Sequence, residues 1–455
     1  MKKDKIFVSI ASYRDPQLIP TINSLTDNAK NPQNLNIVVA WQHGDDEFLK
    51  MFEDAGFVVS KIIESNNKVR FYPTVELKRN KARLILIDIP YLSGLGACWA
   101  RSLIQQLYKN EQYALYLDSH HRFVEHWDTK CVTMLEELRT DGYPKPLLTA
   151  YLPSFNPTND PQERVNYPWE LHFDRFIPEG CIFYMPAQIS NETALSKPSP
   201  TRFFSGHFVF VDGTHIKEVP YDPNLFFHGE EHSMAVRSYC GGYDSFSPNK
   251  VIAWHEYTRN GRTKYWDDHT DAIKQSGKID KHWCERNDLS HKRYRILFGM
   301  DGEDPNQIDF KDYGFNGPRT VKEYEEFAGI DHIRRAVTQE VLDHKYPPGT
   351  IKHNENWIEN LTRSNDVRVL IHKSELGEIQ KDYDFWYVGA HDETGKELHR
   401  KDLTRNEILN YLRNDFIDFR LIFLHNTIPH SYTVWTHSRS KGWLTKIDKL
   451  VEKNG

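Results

Sequence analysis

A carboxylate and an imidazole stand two positions apart in Asp118-Ser119-His120, directly after the apolar run 113–117. In an extended segment, side chains at i and i+2 project on the same side, so both groups can reach one cation. Carboxylate oxygen and imidazole nitrogen suit a divalent ion such as manganese that bridges a diphosphate. The alternative is a capping aspartate followed by a surface pair of histidines. The triplet therefore predicts a metal site, and other segments must support it.

Three further segments follow the triplet in order. They are Phe204-Ser205-Gly206-His207-Phe208, Phe227-His228-Gly229-Glu230-Glu231-His232-Ser233-Met234-Ala235-Val236-Arg237 and Trp254-His255-Glu256-Tyr257. Together with the triplet, they resemble the cytoplasmic hydroxyproline or serine/threonine N-acetylglucosaminyltransferases, which use UDP-GlcNAc, and more distantly the polypeptide N-acetylgalactosaminyltransferases. These families carry an Asp-Ser-His metal motif, a Gly-Glu turn before a helix that ends near Arg, and a late metal-binding His. The resemblance covers about residues 5–270.

The resemblance implies a role for each matching residue. The ligands of a divalent metal, Mn²⁺ or Mg²⁺, would be Asp118, His120 and His255. The nucleotide-sugar donor would contact Ala11, Ser12, Tyr13, Arg14, Asp15, Gly96, Arg101, Asp118, Ser119, Ser205 and Gly206. Two residues are assigned to catalysis: Glu230 would hydrogen-bond the donor sugar, and Glu231 stands where the galactosamine enzymes have Asn. That departure leaves the identity of the sugar open.

Several of these residues also have a purely structural interpretation. Arg101 could pair with an acid on its own helix, and Tyr13 could belong to the core. Ser205-Gly206 could form only a turn. His255 could equally be a strand histidine with satisfied hydrogen bonds.

The neighbouring histidines and cations have supporting roles in this interpretation. Three protein ligands leave coordination room for diphosphate and water, so the remaining histidines are expected to support the site or the fold. They are His121, His207, His228 and His232. Arg262 and Lys264 follow His255 and could add positive charge near the diphosphate.

The implied function is retaining, metal-dependent transfer of a sugar from a UDP-sugar to a hydroxyl acceptor, with N-acetylglucosamine and a protein side chain as the nearest matches. A bound metal would neutralise the charge that develops on UDP, and the leaving phosphate would help to deprotonate the acceptor. Two alternatives stay open: a transferase that extends a surface polysaccharide such as capsule or O-antigen, and a non-catalytic sugar-nucleotide-binding or scaffold protein. A dehydrogenase is disfavoured because GxGxxG does not follow the first strand, and a zinc hydrolase because HExxH is missing.

Apolar runs alternate with helical patterns over the first part of the chain. Strands are predicted at 6–10, 36–41, 69–71, 84–87, 113–117, 208–211 and 251–257, with helices after Asp15, from Gly94 to Tyr108 and from Glu231 to Tyr239. This alternation is typical of a mostly parallel α/β sheet, whose ligands gather at the carboxyl ends of the strands. The Pro-rich stretch 151–200 predicts loops around the cleft. The families that the chain resembles have a Rossmann-like catalytic domain of the glycosyltransferase A type, and the resemblance implies such a domain over residues 1–290.

The rest of the chain predicts two further parts. Residues 291–360 form a helical connecting region, with helices at 322–328 and 333–342, and residues 361–455 form a small α/β accessory domain. Its strands are predicted at 367–371, 385–388, 419–424 and 432–435, with a helix at 408–412. Four of its aromatic residues look exposed: Trp386, Tyr387, Trp435 and Trp443. This domain could recognise a protein partner, mediate oligomers or buttress the catalytic domain.

Composition excludes some classes of partner. The 455-residue chain has a formal net charge of −6, which disfavours nucleic acid and anionic membranes as main partners. Its cysteines contain no CxxC pair, so neither a disulfide framework nor a zinc ribbon is predicted; they are Cys98, Cys131, Cys181, Cys240 and Cys284. Neither a signal-peptide core nor an apolar run long enough to span a membrane is found. We therefore expect a cytoplasmic protein without a transmembrane segment.

Overall fold

The chain divides into two compact units. The structure, a computed structural model, describes residues 2–259, 261–354 and 356–451. The first unit comprises Met1–His172, Tyr184–Ala328 and His344–Thr350, and the second comprises Phe173–Phe183, Gly329–Asp343 and Ile351–Gly455. The predicted functional boundaries at residues 290 and 360 stay a prediction, because compactness does not show which part is catalytic.

Fourteen strands precede residue 256 among the described residues. They are β1 (Lys2–Tyr13), β2 (Leu35–His43), β3 (Val58–Ile63), β4 (Thr74–Arg79), β5 (Ala82–Pro90), β6 (Glu111–Asp118), β7 (His121–Phe123), β8 (Pro146–Thr149), β9 (Trp169–Phe176), β10 (Ile182–Gln188), β11 (Ser199–Pro200), β12 (Phe208–Asp212), β13 (Asp244–Ser247) and β14 (Ala253–His255). Ten of them form one sheet in the order β11-β13-β8-β12-β6-β1-β2-β5-β4-β3. Two separate pairs, β9 with β10 and β7 with β14, form two-stranded sheets.

The central strands β6, β1, β2 and β5 run parallel. Their residues are buried on both faces, as the continuous apolar runs of the sequence require for strands covered by helices on both sides. In the pairing of β1 with β6, Ala11 stands beside Asp118. Both strands therefore present their carboxyl ends at the same edge of the sheet, where ligands of such folds bind.

Eleven α-helices lie in this part of the chain among the described residues. They are α1 (Leu18–Asp27), α2 (Lys50–Asp54), α3 (Ala97–Gln105), α4 (Trp127–Thr140), α5 (Glu192–Ser196), α6 (His215–Glu218), α7 (Glu230–Cys240), α8 (Tyr265–Asp268), α9 (Asp271–Gln275), α10 (Trp283–Phe298) and α11 (Val321–Ala328). Alternate residues of β1 separate two cores: Val8 packs in a cluster with side chains of α1 and α4, whereas Phe7 packs in a cluster with side chains of α3 and α7. The sheet is thus the middle layer between helices, and the period of two along the strands assigns each side chain to one core.

The second unit is built mainly from strands. They are β15 (Ile330–Asp331), β16 (Ala336–Thr338), β17 (Leu361–His372), β18 (Tyr383–His391), β19 (Glu397–Arg400), β20 (Leu403–Thr404), β21 (Phe416–Leu424), β22 (Ser431–Ser438) and β23 (Gly442–Leu450), with helices α12 (Gln339–Leu342) and α13 (Arg405–Tyr411). One sheet has the order β15-β16-β17-β21, and the other has the order β19-β18-β22-β23 with β20 beside β18. Their inner faces share one core, which contains Val369, Trp386 and Val434 together with Ile408 of α13.

The predicted α/β fold with parallel central strands is confirmed, and three local predictions are wrong. Residues 69–71 form no strand, because Arg70 and Phe71 adopt positive φ angles of 54° and 64° in a turn. Residues 333–342 form no continuous helix but the strand β16 followed by the single turn α12. The stretch 151–200 contains the hairpin strands β9 and β10 besides loops. Within the described residues, no helix has both the length and the apolar character needed to cross a membrane.

Candidate active site

The three predicted metal ligands, Asp118, His120 and His255, lie together at the carboxyl edge of the ten-stranded sheet. β6 ends at Asp118, and β7 follows after a turn and pairs antiparallel with β14, so that His255 stands opposite His121. Nε2 of His120 and Nε2 of His255 each lie 3.7 Å from Oδ2 of Asp118. One ligand atom from each of the three residues lies within 4.8 Å of the other two. Strand pairing thus gathers residues that are distant in sequence around one point.

The His255 ring tests whether these residues fit a metal. Both of its nitrogens are buried without a hydrogen-bond partner, and 3.7 Å to Asp118 is too long for a hydrogen bond. Burial lowers the pKa of His255 well below its ordinary value, so the ring is neutral, which is the form that binds metals. Buried polar groups are rarely left unsatisfied, and a divalent ion among these side chains would satisfy the imidazole. The residues present therefore fit a metal.

Asp15 holds the second ligand, His120, in position. Its Oδ2 accepts hydrogen bonds from Ser119 Oγ at 2.6 Å and His120 Nδ1 at 2.7 Å, and lies 3.1 Å from Arg262 Nη1. Burial opposes the ionisation of Asp15, but the bond from His120 and the charge of Arg262 outweigh it, so the pKa of Asp15 is below its ordinary value. A carboxylate on one ring nitrogen fixes the tautomer and leaves Nε2 free to ligate. Arg262 Nη1 also lies 2.9 Å from that Nε2, so ion binding there requires Arg262 to move.

Arg101 joins the metal site to the predicted catalytic glutamates. Its guanidinium is buried, contacts the Glu230 carboxylate, and donates to Asp118 Oδ1 at 2.8 Å and to the Gly206 carbonyl at 2.6 Å. The possibility that Arg101 pairs with an acid on its own helix is therefore wrong, since its partners belong to β6, α7 and the segment before β12. Burial opposes the charge of Asp118, yet the Arg101 guanidinium, 2.8 Å from Oδ1, holds the pKa of Asp118 well below the ordinary value. Asp118 is thus ionised, as a metal ligand must be.

Glu231 is held by the backbone of Gly206 and by Tyr151. Its two carboxylate oxygens accept hydrogen bonds from the Gly206 backbone N–H at 2.7 Å and from the Tyr151 hydroxyl at 2.6 Å. Burial raises the pKa of Glu231 to about 7, although these hydrogen bonds oppose the shift. Ser205 is fully buried, and its Oγ accepts a hydrogen bond from the backbone N–H of His207. Ser205-Gly206 is therefore a braced segment between two carboxylates.

Two adjoining cavities form a cleft beside the metal ligands. The first, of about 140 Å³, has mainly aromatic walls; its lining residues include Tyr13, Phe226, Phe227, Tyr265 and Trp266. The second, of about 250 Å³, is lined by Asp15, Ser119 and the three metal ligands, and by the cations Arg259, Arg262 and Lys264. Six residues line both: Ala11, Tyr13, Asp118, Phe227, Tyr265 and Trp266. An apolar chamber thus opens directly into a charged one.

Gly96 shapes the wall of the aromatic cavity. Its φ angle is +117°, and a Cβ atom at this position would lie 2.7 Å from Cδ2 of Phe226. A side chain at Gly96 would therefore be strained and would collide with an aromatic wall residue. The glycine starts α3 at a point where helix and cavity wall meet closely.

Some residues of the segment 11–15 line the cleft, and others only support it. Tyr13 lines the cleft and donates from its hydroxyl to Asp268 Oδ2 at 2.9 Å, and Arg14 pairs with the same carboxylate at 2.9 Å. Tyr13 therefore lines the cleft, and its hydroxyl group is fixed by Asp268. Ser12 is buried and does not line either cavity, nor do Arg14, Arg101, Ser205, Gly206, Glu230 and Glu231.

Sequence reasoning missed several residues of the cleft. Phe226, Gln42 and Tyr265 line the aromatic cavity, and Asp268 holds Tyr13 and Arg14 from α8. The only sequence signal for Tyr265 and Asp268 was the acidic and aromatic run Tyr265-Trp266-Asp267-Asp268, which lacks the spacing of a known motif. Gln42 ends β2, and its position at the carboxyl end of a parallel strand could have indicated it.

The fold and the site define an α/β protein with a candidate metal site and an aromatic cleft at the carboxyl edge of its sheet. Residues 5–334 match the family described as Glycosyltransferase (GlcNAc), and because this covers more than half of the chain, the chain belongs to that family. It is therefore a glycosyltransferase. No curated protein matches the chain significantly.

Solved structures of other glycosyltransferases are similar at low identity. GalNAc-T7 with UDP, GalNAc and Mn²⁺ matches at 12% identity and a TM-score of 0.43, covering 99% of this chain and 72% of that chain. Residues 1–349 of S. aureus TarS with UDP match at 12% identity and a TM-score of 0.34, covering 68% and 75%. The mannosyltransferase PcManGT from Pyrobaculum calidifontis with GDP-Man and Mn²⁺ matches at 11% identity and a TM-score of 0.35, covering 64% of this chain and 70% of that chain. Because the TM-scores are below 0.5, we base no conclusion about fold or function on these similarities.

The buried position of Arg101 predicts a large effect of a charge-conserving substitution. Arg101→Lys keeps the charge but cannot contact Glu230, Asp118 and the Gly206 carbonyl together, because a single ammonium lacks the guanidinium fork. We expect the free energy of unfolding, measured by urea denaturation with circular dichroism, to fall by about 2–4 kcal/mol. The control is Arg83→Lys at the partly exposed pair with Glu76, where a loss below about 1 kcal/mol is expected. Equal losses in both variants would contradict the role of Arg101.

The raised pKa of Glu231 predicts a pH-dependent stability. Between its ordinary pKa of 4.5 and the raised value of about 7, the folded state binds a proton that the unfolded state has lost, so the free energy of unfolding falls as pH rises. Glu231→Gln removes this contribution. We expect the wild-type-minus-variant difference in the free energy of unfolding to decrease by about 2 kcal/mol from pH 5 to pH 8. Parallel pH profiles for wild type and Glu231→Gln would refute this assignment, with the exposed Glu125→Gln as the control for loss of a carboxylate.

Proposed function

We propose that the chain is a metal-dependent, retaining N-acetylglucosaminyltransferase that uses UDP-GlcNAc and a hydroxyl acceptor on a protein side chain. The observation that carries the proposal is one cleft, in which an aromatic cavity adjoins a cavity lined by metal ligands and cations. A nucleoside diphosphate has the same two parts, a flat base and a charged diphosphate. The family description, which names GlcNAc, supports the sugar. The resemblance to hydroxyproline and serine/threonine transferases supports the acceptor.

The uracil base is assigned to the aromatic cavity. Phe226 contacts Tyr265 edge to face, with ring centroids 5.1 Å apart, and the Tyr265 hydroxyl donates to the Gly94 carbonyl at 2.9 Å. These contacts fix the aromatic wall before a ligand binds, so stacking on the base costs little ordering of the side chains. The ribose and diphosphate then extend past Tyr13 toward Asp118, which lines both cavities.

The diphosphate is assigned to the charged cavity. Asp118, His120 and His255 would hold a divalent ion, and their one oxygen and two nitrogen donors suit Mn²⁺. When bound, such an ion supplies Lewis-acid stabilisation of the negative charge on the departing diphosphate. Asp15 orients His120, and Arg101 orients Asp118, so the ligand atoms are in place beforehand.

The cations supply the remaining positive charge of this cavity. Arg262, Lys264 and Arg259 line it, and they would contact phosphate oxygens. In the structure, Arg262 instead contacts the carboxylate of Asp15 and the ring of His120. We infer that nucleotide and ion binding transfer this guanidinium to the diphosphate.

Glu230 and Glu231 are assigned to the donor sugar and to its support. Burial raises the pKa of Glu230, and one of its oxygens contacts Arg101. The resemblance implies that Glu230 accepts a hydrogen bond from the donor sugar. Glu231 already accepts hydrogen bonds on both oxygens, from Gly206 and Tyr151, so we infer that it positions the Gly206 segment rather than the sugar.

Retention of configuration is implied by the resemblance, and the state of the carboxylates that line the cleft argues against a covalent intermediate on either of them. The carboxylates that line the two cavities are Asp15 and Asp118. Asp15 accepts from Ser119 and His120, and Asp118 accepts from Arg101 beside two imidazoles. Neither is free to attack the anomeric carbon. The proposal is therefore attack by the acceptor on the face that the diphosphate leaves, with the leaving phosphate accepting the proton.

Hydrolysis of the donor tests this function without a known acceptor. Release of the nucleoside diphosphate is measured with MnCl₂ and with EDTA, as UDP from UDP-GlcNAc, UDP-GalNAc and UDP-glucose and as GDP from GDP-mannose. We expect UDP-GlcNAc to be the best donor and EDTA to abolish the reaction. His255→Ala is expected to reduce the rate with MnCl₂ by at least about 10–100-fold, because the ion loses one of three ligands. The exposed His126→Ala is the matched control and should retain the wild-type rate.

The stereochemistry of the same reaction tests retention. Proton NMR should show α-GlcNAc as the first product, before mutarotation, because the sugar is α-linked in the donor. Undiminished hydrolysis in EDTA, or an unaffected His255→Ala variant, would overturn the metal assignment. Initial release of β-GlcNAc would overturn retention alone, and a preference for GDP-mannose would overturn the assignment of the base.

A further inference from the structure

The outer face of the second sheet of the second unit carries a cluster of aromatic residues. Two rows cross β18, β22 and β23, and we name them together the aromatic face: Phe385, His437 and Trp443 in one row, and Tyr387, Trp435 and Lys446 in the next. The intervening residues Trp386, Val388, Val434 and Ile447 point into the core of the unit. The prediction that Trp386 is exposed is therefore wrong, since its exposed fraction is 0%, whereas that of Trp443 is 45%.

Trp443 is the centre of the cluster. Its ring centroid lies 4.4 Å from that of Trp435, 5.0 Å from His437 and 5.4 Å from Phe385. Phe385 stacks on His437 with centroids 4.9 Å apart. Three strands spaced about 4.8 Å apart and two rows about 7 Å apart give a surface of roughly 10 by 7 Å. This is large enough for one or two pyranose rings.

The charged groups around the face have polar partners within the unit. Asp384 accepts from His437 Nδ1 at 2.7 Å, Glu397 accepts from the Tyr387 hydroxyl at 2.5 Å, Arg400 pairs with Asp402 at 2.8 Å, and Lys446 pairs with Asp448 at 3.3 Å. The face therefore presents no excess of positive charge that would select an anionic partner, and its carboxylates are acceptors for hydroxyl groups. It combines the exposed Trp443 and partly exposed neighbouring rings with this rim of hydrogen-bonding groups, and its complement is a neutral ligand with apolar faces and polar edges.

We propose that the aromatic face binds a neutral carbohydrate chain of β-linked hexopyranose units. In the gluco-configured sugars of this class, glucose and N-acetylglucosamine, the ring substituents are equatorial, so the axial C–H groups form flat apolar faces that stack on aromatic rings, while the hydroxyls point outward to the rim. A β-1,4-linked chain is a flat ribbon and can lie along a flat sheet face. An α-1,4-linked chain curves and cannot keep successive rings on the same surface. The proposal is independent of the function assigned to the cleft.

Calorimetric titration of the full chain with chitotetraose and cellotetraose tests this binding, with maltotetraose for comparison. We expect both β-linked tetraoses to bind more tightly than maltotetraose. Trp443→Ala and Trp435→Ala should weaken binding by at least about fivefold through loss of stacking. The control is Phe416→Ala on β21 of the other sheet, a residue that is 53% exposed, which should bind as the wild type does.

A second variant guards against loss of folding. Trp443→Phe keeps an aromatic ring, so it should fold by circular dichroism and bind with an affinity between those of wild type and Trp443→Ala. UDP release from UDP-GlcNAc should be the same in all of these variants. No binding of either β-linked tetraose at millimolar concentration would overturn the proposal. So would binding that is unchanged in the folded Trp443 variants, which would place the sugar in the catalytic cleft, or a Trp443-dependent dimer in sedimentation without sugar binding.

Discussion

The guanidinium of Arg101 is buried between the carboxylates of Asp118 and Glu230, and the rest of the site depends on this ion pairing. Without that cation, two carboxylates would lie close together in a region of low dielectric constant, where like charges raise one pKa and destabilise the fold. With it, Asp118 keeps its negative charge in spite of burial. The same side chain also fixes the Gly206 carbonyl, so one residue of α3 sets the charge of Asp118, the proposed metal ligand, and the position of the segment before β12.

The ligands around Asp118 are oriented to different degrees. His120 is held through Nδ1 by Asp15, whereas both nitrogens of His255 lack hydrogen-bond partners although the ring is buried. Such an unsatisfied group costs free energy in the folded protein, and functional sites are where that cost is tolerated. The pairing of β7 with β14 forces His255 into this place regardless of its hydrogen bonds. The strand pairing therefore fixes the position of His255, and a bound ion would give its ring nitrogen a partner.

The sequence alone indicated the parts of the site that follow directly from a strand. Asp118 ends β6 and His120 follows two residues later, and an i, i+2 spacing after a strand is a local property that needs no tertiary information. His255 could be placed only by resemblance, because its partner strand lies far away in the sequence. Asp15 was assigned to the nucleotide, yet the structure shows it bracing His120. That contact joins two strand ends of different chain segments, and no periodicity encodes it. The false strand at 69–71 has the same cause, since local β propensity did not reveal the turn at Arg70 and Phe71.

The central claim is that Asp118, His120 and His255 hold one divalent ion beside an aromatic cavity for the base. X-ray diffraction from crystals grown with MnCl₂ and UDP measures this directly through the anomalous scattering of manganese. The account predicts one strong anomalous peak within bonding distance of all three side chains, with the uracil ring between Tyr13 and Phe226 and with Arg262 withdrawn from His120. A bound UDP without an anomalous peak at these three residues, or with manganese on other side chains, would contradict it.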